Sequence, residues 1–222
     1  MRLVEVKQGV LSKNDRLAER LRGRFQQQQL FVVNLISSPG TGKTALLERT
    51  LEEFVKRGRQ VAALVGDLAT ENDANRLARS GAPVRQITTS GLCHLEASFI
   101  ESRLEGWDLS ELEYLFIENV GNLVCPSSFD LGEQLRVVLL SVTEGEDKPL
   151  KYPPVFFSSQ VAVITKCDLA EPCDFQAEQA LANIRSVNPA IEILQTSART
   201  GAGLSEWLRS LDSRRATWLR SI

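Results

Sequence analysis

The sequence predicts an α/β fold in which a mostly parallel β-sheet of about seven strands is flanked by helices on both faces. Short runs rich in valine, isoleucine and leucine alternate with segments of helical periodicity, and strands separated by helices pair in parallel. The run at 161–164 is continuously apolar, as expected for a strand that is buried on both faces.

The elements follow in order along the chain. Apolar residues at fourfold spacing predict a first helix within 1–29, with Ser12 as its N-cap. The predicted strands occupy 31–36, 61–65, 84–87, 114–118, 135–142, 161–165 and 191–195. Helical patterns occupy 45–55, 73–80, 93–104, 174–187 and 203–211. The polar stretch 143–157 is expected to be a surface loop, and the chain to form one domain over 1–222, with 1–29 leading into it.

Composition excludes several classes of function. The chain has 26 Lys and Arg against 28 Asp and Glu, a net charge of −2, which offers no basic surface to nucleic acid or an anionic membrane. No apolar run approaches the roughly 18 residues that cross a bilayer. Four cysteines are too few for a disulfide scaffold, and the N-terminus is charged where a secretory signal needs an apolar core. We expect a soluble cytoplasmic protein.

A phosphate-binding loop is indicated where the first strand meets the next helix. Residues 37–44, SSPGTGKT, match the pattern G-x-x-x-x-G-K-[ST] except at Ser37. Backbone N–H groups and the positive helix end would surround a polyphosphate, Lys43 would add charge, and the Thr44 hydroxyl would bind Mg²⁺. The expected nucleotide contacts are Ser38, Pro39, Gly40, Thr41, Gly42, Lys43, Thr44 and Ala45.

Two carboxylates are candidates for the magnesium side of this site. Asp67 follows the strand at 61–65 and Glu118 ends the strand at 114–118, so both should open onto the edge where the phosphate loop lies. Either one would hold Mg²⁺ or orient an attacking water. Gly121 stands where a backbone N–H can meet the γ-phosphate. The predicted catalytic residues are Lys43, Thr44, Asp67, Glu118 and Gly121.

Guanine is the predicted base. Residues 165–168, TKCD, resemble the N-K-x-D motif of GTPases, with Thr165 in the asparagine position. Asp168 can accept from guanine N1–H and its exocyclic amine, a donor pair that adenine lacks, and the Lys166 stem can pack over the base. A further element that resembles S-A-[KR], where a backbone N–H meets the guanine oxygen, consists of Ser197, Ala198 and Arg199.

Cys93, His94 and Cys125 form a second constellation. Thiolate and imidazole ligands suit Zn²⁺ or Ni²⁺ rather than Mg²⁺. Cys125 follows Gly121 by four residues, which suggests that the metal site senses the nucleotide. Three ligands leave a tetrahedral site incomplete, so a second chain would complete it or the metal would be released. The alternative is that these cysteines and the histidine are ordinary interior residues.

These motifs together resemble the hydrogenase nickel-incorporation GTPase family of the HypB type. The resemblance covers roughly residues 10–212 and extends to the runs 118–126 (ENVGNLVCP), 129–132 (FDLG) and 143–148 (TEGEDK), and to Gly66-Asp67 with Thr70 and Asp73. It implies a P-loop NTPase fold of the SIMIBI class, in which Ser37 is the expected residue.

The resemblance also implies a metallochaperone that hydrolyses GTP to GDP and phosphate, with slow intrinsic turnover, while assisting Ni²⁺ insertion into nickel-iron hydrogenase. Cys93, His94 and Cys125 match the family's nickel or zinc ligands near the interface of a nucleotide- and metal-dependent homodimer. The implied partners are a nickel-binding accessory maturation protein and the precursor of the hydrogenase large subunit. No cysteine precedes Cys93 and there is a single histidine, so we expect metal transfer rather than storage.

Three alternatives remain at this stage. A related GTPase, either a nickel chaperone serving urease or a cobalamin-enzyme chaperone, would use the same loop, although the run 118–126 argues against both. A non-enzymatic nickel- or zinc-binding adaptor with a weak nucleotide site is compatible with Thr165. A small-molecule kinase would share the phosphate loop, but Asp168 opposes it.

Overall fold

A computed structural model describes residues 2–67, 72–89 and 91–222. Within these residues, seven strands form one parallel sheet: β1 (Phe31–Ser37), β2 (Val61–Asp67), β3 (Val84–Thr88), β4 (Tyr114–Glu118), β5 (Leu135–Ser141), β6 (Val161–Thr165) and β7 (Glu192–Gln195). Their order in the sheet is β3-β2-β4-β1-β5-β6-β7. The predicted fold class is confirmed, and β1 lies at the centre between β4 and β5.

The helices are α1 (Arg2–Gln27), α2 (Lys43–Lys56), α3 (Asn72–Ala78), α4 (Ala97–Leu104), α5 (Lys148–Lys151), α6 (Pro153–Phe157), α7 (Ala177–Val187) and α8 (Leu204–Leu219). No helix in the described part of the chain is long and apolar enough to cross a membrane.

The helices cover both faces of the sheet because successive strand residues point to opposite sides. On one face Val33 and its neighbours pack against α2, α3 and α8, where Trp207 is fully buried. On the other face α1 and α4 pack over Val32 and the strands around it, and α6 and α7 cover β5 and β6. Both faces of β1 are thus sealed from water, and its carboxyl end is left to meet a ligand.

Three predicted helix starts are wrong, and the pattern at 174–187 becomes a helix only at Ala177. The first helix begins at Arg2, and Ser12 lies inside it, with its hydroxyl donating to the Gly9 carbonyl at 3.1 Å. The helical pattern at 93–104 becomes a helix only at Ala97, whose N–H donates to Asn14 Oδ1 at 2.9 Å. This contact from α1 supplies the missing cap and leaves Cys93 and His94 in the preceding turn.

The stretch 143–157 is not a simple surface loop. It contains α5 and α6, which begin at or next to Pro149, Pro153 and Pro154. Proline fits the first turn of a helix because the N–H it lacks has no partner there. Val155 and Phe156 are fully buried, so α6 belongs to the core.

Candidate functional site

The phosphate-binding loop joins the carboxyl end of β1 to the first turn of α2. Gly42 caps α2 with φ of 97°, a left-handed conformation that favours glycine, and with no side chain it leaves the first N–H groups of the helix open. Lys43 is buried and donates from Nζ to Ser37 Oγ at 3.2 Å. The loop lines a cavity of about 460 Å³, so Lys43 and the helix end present positive charge to it.

Glu118 lies beside this loop because β4 pairs with β1, placing Glu118 opposite Leu35. It is 3% exposed, and Oε1 accepts from the Thr44 hydroxyl at 2.7 Å and lies 3.8 Å from Lys43 Nζ. Burial raises the pKa of Glu118, although Lys43 and Thr44 act in the opposite direction. Its second oxygen, Oε2, is buried without a hydrogen-bond partner in the described structure. A carboxylate and a hydroxyl with an unmet oxygen form a donor set that fits Mg²⁺.

The other predicted catalytic residues line the same cavity. Asp67 ends β2, whose pairing with β4 places Val65 opposite Glu118, so the two acids share one sheet edge. Gly121 packs against the phosphate loop, where an added Cβ would stand 3.0 Å from Pro39 Cα. Asp73 and Arg76 also line the cavity, whereas Thr70 lies outside the described residues.

A second cavity, of about 200 Å³, adjoins the first through Gly42 and Ala45 and contains the predicted base-recognition residues. It is lined by Thr165, Lys166, Asp168, Ala198 and Arg199, among others. Ser197 lies behind Asp168, and its hydroxyl donates to Oδ1 at 2.6 Å, while Arg199 Nε lies 3.2 Å from Oδ2. These contacts hold the Asp168 carboxylate in place at the wall of the second cavity.

Thr165 and Lys166 tie this second cavity to the phosphate loop. The Thr165 hydroxyl donates to the Thr41 carbonyl, and Lys166 Nζ donates to the Gly40 carbonyl, each at 2.6 Å. Thr165 therefore anchors the loop even though it lacks an asparagine amide. Thr196 was missed by sequence reasoning; it lines the cavity, and its buried hydroxyl has no partner among the described residues.

Glu144 lies in the run 143–148, but the sequence does not indicate its contacts. Its Oε2 accepts from the Thr41 hydroxyl at 2.8 Å and from the Ser141 N–H at 3.0 Å. Lys148 Nζ lies 3.5 Å from both Glu144 Oε1 and Ser38 Oγ. Lys148 therefore reaches the phosphate loop of its own chain.

Cys93, His94 and Cys125 lie close together in the structure, and Cys125 follows Gly121 of the phosphate cavity by four residues. Their ligand atoms all lie within 4.8 Å of one another, with Cys93 Sγ 2.9 Å from Cys125 Sγ and 3.9 Å from His94 Nδ1. Two thiols and an imidazole suit Ni²⁺ or Zn²⁺. Cys167 and Cys173 lie elsewhere; Cys167 is half-buried and Cys173 is exposed.

Comparison with known proteins finds relatives over nearly the whole chain. Residues 31–195 match the family model described as CobW/HypB/UreG, nucleotide-binding domain. The chain is 49% identical over 220 residues to the hydrogenase maturation factor HypB of Azotobacter vinelandii, covering 99% of this chain and 72% of that protein. This chain belongs to the HypB family.

Solved structures agree on the fold of this HypB family member. The crystal structure of HypB from Helicobacter pylori in complex with nickel is 39% identical, with a TM-score of 0.87, and covers 92% of this chain and 96% of its own. FtsY from Thermotoga maritima, at 19% identity and a TM-score of 0.55 over 74% and 60% of the chains, shares the fold alone. The predicted SIMIBI-like fold is therefore confirmed.

A carboxylate lies behind the histidine of the candidate metal site in this family member. His94 Nδ1 lies 3.9 Å from Cys93 Sγ, while Nε2 lies 3.4 Å from Glu96 Oε1. The His94 ring also stacks on Phe129 at a centroid distance of 4.0 Å. A carboxylate on the far ring nitrogen fixes the tautomer that leaves Nδ1 free for a metal. The contact with Glu96 was not predicted, although the position of Glu96 two residues after His94 could have indicated it.

Proposed function

We propose that this chain is a GTP-hydrolysing metallochaperone that assists Ni²⁺ insertion into nickel-iron hydrogenase during its maturation. The position of Cys125 carries the proposal. Cys125 lies in the segment 118–126, which begins at Glu118 in the nucleotide site, and its sulfur lies 2.9 Å from that of Cys93. One short segment therefore belongs to both sites. The relative that was crystallised with nickel supports nickel as the cargo.

In the proposed reaction a single GTPase domain hydrolyses GTP to GDP and phosphate with slow intrinsic turnover. Lys43 neutralises the terminal phosphates, and Thr44 and Glu118 hold Mg²⁺, whose charge offsets that of the phosphates when it is bound. Because the Thr44 hydroxyl already engages Glu118, we assign Glu118 to the magnesium and Asp67 to the attacking water. The Gly121 N–H meets the γ-phosphate.

Recognition of guanine completes the nucleotide site in this proposal. Asp168 accepts from the base, with Ser197 holding its carboxylate, and the Ala198 N–H meets the guanine oxygen. Lys166 covers the base with its stem while its amine stays on the Gly40 carbonyl.

The cargo is a nickel or zinc ion held by Cys93, His94 and Cys125. Three ligands leave one tetrahedral position open, and we propose that a second copy of the chain completes or pairs the sites in a GTP-dependent homodimer. GTP orders the segment 118–126, and hydrolysis loosens it, so the metal passes on in the cytoplasm. The proposed donor and acceptor are a nickel-binding accessory maturation protein and the hydrogenase large-subunit precursor.

The decisive experiment is a Ni²⁺ titration of the purified chain with GDP and with a non-hydrolysable GTP analogue, reading both affinity and molecular mass. We expect tighter binding and a dimer with the analogue. A Lys43→Ala chain should lose the difference because the analogue's terminal phosphate is no longer neutralised. Equal nickel affinity in both nucleotide states of the unmodified chain would contradict the coupling, and release of phosphate from ATP as fast as from GTP would contradict the assigned substrate.

A further inference from the structure

A side-chain amide joins the turn that carries Cys93 to the segment that carries Cys125. Asn122 Nδ2 donates to the Cys93 carbonyl at 3.2 Å, and Asn122 Oδ1 accepts from the Val124 N–H at 2.9 Å. Val124 directly precedes Cys125 in the chain. The amide of Asn122 therefore links the stretch of backbone that carries one sulfur ligand to the stretch that carries the other.

The other neighbour of Asn122 touches the nucleotide site. Gly121 lines the phosphate cavity, and a Cβ added to it would stand 3.0 Å from Pro39 Cα and 3.1 Å from Pro39 N. The two backbones are therefore in direct contact, with no side chain between them. Any group that holds or releases Gly121 therefore acts on Asn122 as well, because the two residues share a peptide bond.

Asn119 holds the beginning of the same segment to the sheet. It is 1% exposed, its Oδ1 accepts from the N–H groups of Leu95 and Val120, and its Nδ2 donates to Asn34 Oδ1 at 3.3 Å. Asn34 is fully buried in β1. Asn119 is thus an anchor inside the core, whereas Asn122 is half-buried and spans two surface stretches. Of the two amides, only the one at Asn122 is placed to change partners without disturbing the core.

We infer that Asn122 is a positioning residue that transmits the state of the nucleotide site to the Cys93–Cys125 pair and thereby sets metal affinity. The inference rests on the proposed function, which supplies the nucleotide and the metal. When Gly121 is held by the γ-phosphate, the Asn122 amide keeps the two sulfur atoms close enough together to bind one metal ion. When the phosphate leaves and Gly121 shifts, the amide loses the Cys93 carbonyl and the ligands separate.

Two substitutions and one matched control test this role. Asn122→Ala removes both hydrogen bonds, whereas Asn122→Asp keeps the acceptor for the Val124 N–H and loses only the donor to Cys93. Ser127→Ala removes a bond of the same segment, from the Ser127 hydroxyl to the Val124 carbonyl at 2.7 Å, that does not reach Cys93. Ni²⁺ is titrated into each chain with GDP and with a non-hydrolysable GTP analogue, followed by the thiolate charge-transfer absorption.

The quantity compared is the ratio of the two Ni²⁺ dissociation constants, because the charge that Asn122→Asp introduces acts on both constants and cancels in their ratio. Both Asn122 variants should bring the ratio to within about twofold of one, while Ser127→Ala keeps the ratio of the unmodified chain; coupling between sites is typically on the order of 5- to 150-fold. Unchanged circular dichroism shows that each variant is folded.

Three results would overturn the inference. If either Asn122 variant, folded, keeps the ratio of the unmodified chain, the amide does not transmit the nucleotide state, although the proposed function stands. If the unmodified chain itself shows a ratio of one, the coupling in the proposed function fails and the inference fails with it. A loss of the ratio in Ser127→Ala as well would show that the whole segment, rather than Asn122, carries the effect.

Discussion

The Thr44 hydroxyl donates a 2.7 Å hydrogen bond to Glu118 Oε1, joining the first turn of α2 to the carboxyl end of β4. Glu118→Gln keeps the size of the side chain but removes the charge that Mg²⁺ needs. We expect GTP hydrolysis to fall on the order of 10²-fold, as when one charge-stabilising group is lost. Phosphate release measured against Mg²⁺ concentration checks this. Glu113→Gln, at a distant site on the other end of the sheet, is the control and should leave the rate unchanged.

The contact between Gly121 and Pro39 leaves no room for a side chain. Gly121→Ala places a Cβ 3.0 Å from Pro39 Cα, so the segment 118–126 must shift off the phosphate loop. We expect hydrolysis to fall on the order of 10-fold or more, because positioning errors at a reacting centre are costly. Gly23→Ala, with nothing within 4 Å of the new Cβ, is the matched control and should be neutral. Normal turnover by Gly121→Ala would contradict the assignment of this contact to catalysis.

Thr165 stands where the guanine motif has asparagine, and the effect of this difference on GDP affinity can be measured. Thr165→Val removes the 2.6 Å bond to the Thr41 carbonyl, and we expect GDP affinity to fall about fivefold, equivalent to about 1 kcal/mol for one hydrogen bond. Thr165→Asn keeps a donor and adds an amide, so GDP affinity should rise or stay equal. Binding of fluorescent GDP measures the affinity of both variants. Thr217→Val, at an exposed position of α8, is the control. Unaltered binding by Thr165→Val would mean that the bond does not support the loop.

Glu96 is expected to support His94 as a metal ligand. Glu96→Gln weakens the acceptor 3.4 Å from His94 Nε2, and loss of such a partner typically lowers metal affinity about 10- to 100-fold. Competition with a chromophoric chelator measures Ni²⁺ and Zn²⁺ affinity. Glu101→Gln, in the following helix α4 and partly exposed, removes the same charge away from the site and should have little effect. If both variants lose affinity equally, general electrostatics rather than Glu96 would explain the change.

Asp130 gives the fold a predictable response to acid. Burial acts to raise the pKa of Asp130, but bonds from Arg22 at 2.6 Å and from the Gly132 N–H outweigh it and hold that pKa below its ordinary value. A carboxylate with a lowered pKa in the folded state stabilises the fold above its unfolded pKa, and this contribution is lost as the pH falls through the folded value. Arg22→Met should therefore lower the free energy of unfolding at pH 7 more than at pH 3, as urea denaturation at both pH values would show. An equal loss at the two pH values would contradict the role of the ion pair.

Much of the fold and the site followed from local patterns. The strands were predictable because a parallel strand that is buried on both faces is a continuous apolar run. The loop 37–44 was predictable because the residues of a phosphate loop are consecutive in the sequence. The start of α4 was not, because the cap for Ala97 comes from Asn14, which is distant in sequence. Likewise, α5 and α6 were not predicted, because their prolines indicated a loop. Only the structure shows that these prolines lie in the first turns of helices.

The sequence by itself determined the class of fold, the phosphate loop and the identity of the two thiols and the imidazole, and it predicted a preference for guanine. Each of these depends on residue type and short-range spacing. Only the tertiary structure decided that Glu118 bonds Thr44, that Thr165 and Glu144 both hold Thr41, and that Asn122 bridges to Cys93. These contacts join residues from 29 to more than 100 positions apart, which meet because the strands and the segments that follow them are brought together by the order of the strands in the sheet.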